Sequence, residues 1–157
     1  MSVVTIVGSL NIDLVIRASH CPSKGETIIG GPFGMAGGGK GSNQALEVAR
    51  LNARSYIIGC VGDDDFGRRL RSVLTENGVD CSHLQTKKES ATGTAVITVT
   101  DEGENSIIIA QGANNLLNEK DIYDAKKLFE SSDSALFQME SPTPTVVAGL
   151  KLARQTG

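Results

Sequence analysis

Tryptophan is absent, and four phenylalanines and two tyrosines are the only aromatic residues in the 157-residue chain. Nor is there a basic excess, with 15 Lys and Arg against 18 Asp and Glu. A nucleic-acid-binding protein needs positive charge for the phosphates and aromatic faces for unpaired bases, so no nucleic-acid partner is expected. Long apolar runs are missing too. The longest, such as residues 107–110, fall far short of the roughly 20 residues that cross a bilayer, so no membrane span is expected. The N-terminus lacks a basic flank and reaches Asp13 early, which does not read as a secretory signal. Cys21, Cys60 and Cys81 are odd in number, widely spaced and without a C-x-x-C pair, as in a reduced, cytoplasmic protein.

Glycine is plentiful, at 18 residues, against an average share of roughly 7%. That abundance points to tight turns or to backbone pressed against a ligand. With 39% hydrophobic and 21% charged residues the chain is not a disordered polyelectrolyte. One domain is expected.

The apolar, β-branched run of residues 3–8 reads as a buried strand. Strict alternation then places Asn11 and Asp13 on one face and Leu10, Ile12 and Leu14 on the other. A strand is expected over residues 26–33, and a helix over 44–51 after the run Gly37-Gly38-Gly39-Lys40-Gly41. Residues 55–60 read as a second buried strand and 66–76 as a helix stopped by Asn77-Gly78. Residues 94–100 and 105–110 form a hairpin around Asp101-Glu102-Gly103-Glu104. A helix over 119–130 and a third buried strand over 134–139 follow. Ser141 as N-cap and Pro142 at the first helical position start a last helix to about residue 155. Buried strands alternating with helices, plus an inserted antiparallel pair, predict an α/β fold with a mainly parallel sheet. The sheet stops after about three core strands, as in a truncated protein.

Two nucleotide motifs fail on the glycine run. Gly34-x-x-x-x-Gly39-Lys40 is followed by Gly41 where a Walker A loop has Ser or Thr, and Gly37-x-Gly39 is followed by Ser42 where a dinucleotide fingerprint has Gly. The run can still cradle a small polar ligand. Backbone N–H groups approach closely without Cβ atoms, the helix N-terminus adds partial positive charge, and Lys40 and Asn43 add donors. The alternative is a tight turn with a solvated lysine. Asn11 and Asp13 lie past the carboxyl end of the first strand, where open α/β sheets bind ligands; a carboxylate accepts from two vicinal hydroxyls, while an Asx turn is the plain alternative. Glu140 occupies the equivalent edge after the third strand, or serves as an N-terminal helix charge. Asp63-Asp64-Asp65 lacks the spacing of a calcium loop and reads as loop plus N-cap, and His20 and His83 have no metal-ligand spacing.

Several segments together resemble the amino-terminal half of the ribokinases, within the PfkB-type carbohydrate kinases. They are Val7-Gly8-Ser9-Leu10-Asn11-Ile12-Asp13, Gly25-Glu26-Thr27, Gly38-Gly39-Lys40-Gly41-Ser42-Asn43-Gln44-Ala45 and Gly59-Cys60-Val61-Gly62-Asp63-Asp64. Later come Ser90-Ala91-Thr92-Gly93-Thr94, Gly112-Ala113-Asn114 and Gln138-Met139-Glu140-Ser141-Pro142. The resemblance implies a three-layer sandwich with a small β-sheet lid built from about residues 12–16, 26–33 and 94–110. It implies ATP-dependent phosphorylation of D-ribose to ribose 5-phosphate, with Mg2+ and a monovalent cation such as K+. Substrate-binding positions carried over are Asn11, Asp13, Gly38, Gly39, Lys40, Asn43 and Glu140, with Ile109 covering the sugar. A homodimer through the lid and a cytoplasmic location follow from the same resemblance, a nuclear one being compatible in a eukaryote. The family's late G-A-G-D block, which carries the catalytic base, and its nucleotide pocket have no counterpart here, because Gly112-Ala113-Asn114-Asn115 lacks the second glycine and the acid. No catalytic residue and no metal ligand is therefore assigned within residues 1–157, and the chain alone is expected to lack activity. Two alternatives remain open: a non-catalytic sugar-binding or dimerisation partner derived from a ribokinase, and a kinase of adenosine, fructose 6-phosphate or another furanose. Asn11, Asp13 and Glu140 favour an unphosphorylated pentose, since a phosphosugar calls for more cations than Lys40.

Overall fold

A strand covered by helices on both sides must be apolar on both faces, and Val3–Val7 (β1) meets that condition. Ile6 enters one core and Val7 the other, both fully buried. A computed structural model describes all residues 1–157. Arg54–Gly62 (β4) repeats the pattern, with Ile57 and Val61 on the first side and Ile58 and Cys60 on the second. With Val79–Asp80 (β5) and Ser134–Phe137 (β9) these strands make a parallel sheet in the order β5-β4-β1-β9, and Leu84–Lys87 (β6) pairs with the far end of β4. Lys40–Arg50 (α1) and Asp65–Glu76 (α2) cover one face through Ala45, Leu70 and Leu74. Glu119–Asp124 (α3), Lys126–Glu130 (α4) and Thr143–Thr156 (α5) cover the other through Ile122, Leu128, Phe129 and Leu152. The result is the expected three-layer α/β sandwich. No helix is long and apolar enough to cross a membrane.

A second, four-stranded sheet stands at the carboxyl end of the first. Its order is Phe33–Gly38 (β3), Asn11–Ala18 (β2), Gly93–Thr100 (β7) and Asn105–Ala110 (β8), with β2 and β7 parallel and the outer pairs antiparallel. The hairpin and the alternating strand are where the sequence places them.

The strand expected over residues 26–33 is not there. Pro32 has no N–H to donate, and only Gly31 N–H to the Arg17 carbonyl and Arg17 N–H to the Pro32 carbonyl tie this stretch to β2. The pairing strand is instead the glycine-rich β3, whose poor intrinsic preference is overridden by its ladder with β2. The single helix expected over 119–130 is two, because i to i+3 bonds at Ala125 interrupt the ladder. Ser141 does not cap α5. Pro142, extended at φ −54° and ψ 130°, takes the N-cap position, and Pro144 sits in the first turn, where no N–H is needed.

Asp64 ties the two sheets together. Its carboxylate caps α2 by accepting from the Gly67 N–H at 2.8 Å, and it accepts from Thr92 N–H at 2.8 Å and Thr92 Oγ at 2.6 Å just before β7. Burial disfavours its charge, but the Thr92 and Gly67 donors outweigh that and hold its pKa below the usual aspartate value. Asp64→Ala is therefore expected to cost about 2 kcal/mol, a lost cap plus unpaired donors. Because the folded pKa is depressed, the contribution is complete above the ordinary value of 3.8 and disappears as pH falls through the folded pKa. Urea midpoints of wild type and variant should differ at pH 7 and converge in strong acid.

Candidate functional site

The site grows from three turns at the carboxyl edge of the main sheet. The turn Gly8-Ser9-Leu10 carries the chain from β1 into β2. Helix α1 starts against that turn: Ser42 N–H donates to the Ser9 carbonyl at 3.0 Å, and a Cβ on Gly41 would stand 2.6–2.7 Å from Gly8 backbone atoms. Gly39, at φ 92°, provides the bend from β3 into α1. The third turn leaves β9 with Glu140.

These turns bring Ser9, Lys40 and Glu140 together. Ser9 Oγ donates to Glu140 Oε2 at 2.7 Å, and Lys40 Nζ donates to Glu140 Oε1. Burial alone raises a carboxyl pKa, but the bonds from Lys40 and Ser9 reverse the effect and hold Glu140 below the ordinary range. Lys40, read from the sequence as a donor beside a ligand, has its ammonium paired with Glu140.

A cavity of about 220 Å³ opens beside this cluster, lined by Ser9, Asn11, Ile109, Gln111, Asn114 and Glu140. Asn114 is 4% exposed and Asn11 5%. Asn114 Oδ1 accepts from Leu10 N–H at 2.9 Å, while its Nδ2 donates to the Leu10 carbonyl at 2.9 Å and to Asn11 Oδ1 at 2.8 Å. Asp13 lies two residues along the same face of β2, its carboxylate resting where a Cβ on Gly38 would be. Partial burial raises its pKa. The buried Gly38 stands opposite Asn11 in the ladder.

Of the residues singled out from the sequence, Asn11, Ile109 and Glu140 line the cavity, while Asp13, Gly38, Gly39 and Lys40 stand around it. Asn43 is exposed and does not line it. Ser9, Gln111 and Asn114 line it without having been singled out. Ser9 and Asn114 lie inside the segments that carry the family resemblance, yet no spacing pairs residue 114 with residue 11; the contact exists only once β7 lies beside β2. A larger cavity of about 340 Å³ between Phe129, Asp133, Ala153 and Gly157 gathers no comparable set, and Asp133 there accepts from Val3 N–H. No three His, Cys, Asp or Glu side chains converge as a metal site.

Amides, a hydroxyl and carboxylates around an opening this small suit a ligand that presents several hydroxyls and little charge. Residues 1–157 match the family described as pfkB family carbohydrate kinase. The ribokinase of Haemophilus influenzae is 37% identical over 153 residues, 98% of this chain and 50% of that protein. The Arabidopsis thaliana ribokinase complexed with ribose and ATP superposes with a TM-score of 0.88 at 29% identity, covering 100% of this chain and 52% of that one. The Cryptococcus neoformans ribokinase in complex with ADP does so with a TM-score of 0.82 at 34% identity, covering 99% and 46%. The chain spans about half the length of the curated relatives it matches.

Proposed function

The chain belongs to the pfkB family of carbohydrate kinases, and on that premise we propose that these 157 residues hold the acceptor-sugar half of a ribokinase, binding D-ribose for phosphorylation at its 5-hydroxyl. The observation that carries this reading is the cavity at the sheet's carboxyl edge, where Asn11, Ser9 and Glu140 face one opening and Asp13 stands beside it. Asp13 accepts from sugar hydroxyls, Asn11 donates to them, the Gly38-Gly39 backbone lies close enough to contribute N–H groups, and Ile109 covers the ring. Lys40 acts through Glu140, keeping it ionised as an acceptor.

The residues around the cavity do not suit ATP or Mg2+. The one cation at the opening is engaged by Glu140, and no acidic cluster is available for a divalent ion. Proton abstraction from the hydroxyl and stabilisation of the transferring phosphoryl group need groups beyond this set. One face of the second sheet, with the exposed Phe33, Met35, Val96 and Ile108, supports pairing of two such lids. The same face supports the second reading, a dimerisation partner of a longer kinase.

Titrating the 157-residue chain with D-ribose under 15N NMR tests the first reading. The shifts should concentrate at Ser9, Asn11, Gly38 and Glu140. Asp13→Ala should lose about 2 kcal/mol of binding, having removed an acceptor for two hydroxyls. The raised pKa of Asp13 makes affinity fall as pH drops through it, at a pH above the ordinary aspartate value of 3.8. No response to D-ribose, or one unchanged in Asp13→Ala, overturns the assignment.

A further inference from the structure

Of the three amides that line the cavity, those of Asn11 and Asn114 have no freedom of orientation, and the backbone of Leu10 is the reason. A backbone N–H can only donate and a carbonyl can only accept. The Asn114 atom 2.9 Å from Leu10 N is therefore its oxygen, and the atom 2.9 Å from the Leu10 carbonyl is its nitrogen. That nitrogen spends its second proton on Asn11, 2.8 Å away, so the Asn11 atom it meets is Oδ1. Asn11 Nδ2 has no partner within the chain, and it belongs to a residue lining the cavity. Polarity thus passes from a backbone that cannot invert, through one buried amide, to a second amide at the opening.

We propose that Asn114 is a positioning residue that makes Asn11 a pure hydrogen-bond donor toward the ligand. Resting on the sugar-binding reading, this assigns the hydroxyl beside Asn11 an accepting role. Its own proton remains for a carboxylate, and Asp13 lies on the same face of β2 two residues on. An amide free to flip would present oxygen in part of the population and lose that discrimination. The absence of a side chain at Gly93 belongs to the same device, since a Cβ there would fall on Asn11 Oδ1 and Asn114 Nδ2.

Asn114→Asp reverses the instruction. Residue 114 then has only acceptors, so Asn11 must turn its Nδ2 inward and its Oδ1 toward the cavity. In the wild-type chain, NMR couplings across hydrogen bonds should connect Asn114 Nδ2 with Asn11 Cγ. A coupling from Asn11 Nδ2 to Asn114 Cγ, or none in either direction, overturns the proposal without any ligand. With D-ribose as probe, the Asn11 side-chain NH2 signals should shift in wild type. In Asn114→Asp they should no longer respond, with affinity at least tenfold weaker; in Asn114→Ala, where nothing forces the flip, the loss should be smaller. A folded Asn114→Asp chain that binds D-ribose as wild type does overturns it as well. Should that variant fail to fold, the coupling measurement decides alone. A wild-type chain that ignores D-ribose removes the sugar reading, while the coupling still judges the amide orientation.

Discussion

Gly39→Ala should remove about 3 kcal/mol or more of stability, read as a lowered urea midpoint with an unchanged slope. Two costs combine. Gly39 sits at φ 92° and ψ 133°, a backbone geometry that an L side chain rarely adopts. A Cβ there would also stand 2.7 Å from Asn11 N, Leu10 Cα and the Ser9 carbonyl oxygen. All three are backbone atoms of the turn that feeds β2, so none can swing aside as a side-chain tip can. Relief requires α1 to move off the turn, which would pull Ser42 N–H from Ser9 and Lys40 from Glu140. Gly78→Ala separates the two costs, because Gly78 has a similar φ of 82° and nothing within 4 Å of its would-be Cβ. It should lose only about 1 kcal/mol, the strain alone. If the two variants unfold at the same midpoint, the close approach of α1 to the turn is not what the geometry indicates. Total stabilities of about 5–15 kcal/mol make the Gly39 effect a large fraction of the whole.

Local pattern made the layers legible. The apolar runs at β1 and β4, the Asn77-Gly78 stop after α2 and the hairpin of β7 and β8 each carry their signal within a few residues. β3 was not legible, because its residues have little strand preference and pair only through β2. The same holds for the start of α1. Glycine around Lys40 argues locally for a loop, whereas packing of Gly41 on Gly8 lets the helix begin at Lys40. In the site, Asn11, Asp13 and Glu140 could be found because strand ends mark the binding edge of such sheets. The pairing of Lys40 with Glu140 and of Asn114 with Asn11 spans about a hundred residues in each case, and no periodicity encodes it. Polar side chains are placed by their partners, and those partners are set by topology.

That dependence makes Gly93→Ala the most disruptive single methyl group in the lid. Gly93 lies opposite Asn11 in the parallel ladder of β2 and β7, immediately after Thr92, which Asp64 holds by two bonds. Its would-be Cβ falls on Asn11 Oδ1 and Asn114 Nδ2 and stands 2.8 Å from the Leu10 carbonyl. Asn114 cannot retreat and keep its bonds to both polar groups of Leu10, and β7 cannot retreat without releasing Thr92 or the ladder. Either way, buried donors and acceptors are left unpaired at about 1–3 kcal/mol each, so a total of about 3–5 kcal/mol is expected. For a chain of this size that lowers the thermal midpoint by about 10 °C. Gly37→Ala provides the comparison on β3, on the other side of β2 in the same sheet. Its Cβ would only touch Leu70 Cδ2 at 3.4 Å, an ordinary contact, and its melt should stay within a few degrees of wild type. A Gly93→Ala chain that melts with the wild type and retains the coupling from Asn114 Nδ2 to Asn11 Cγ would mean that the amide pair does not depend on the space above residue 93.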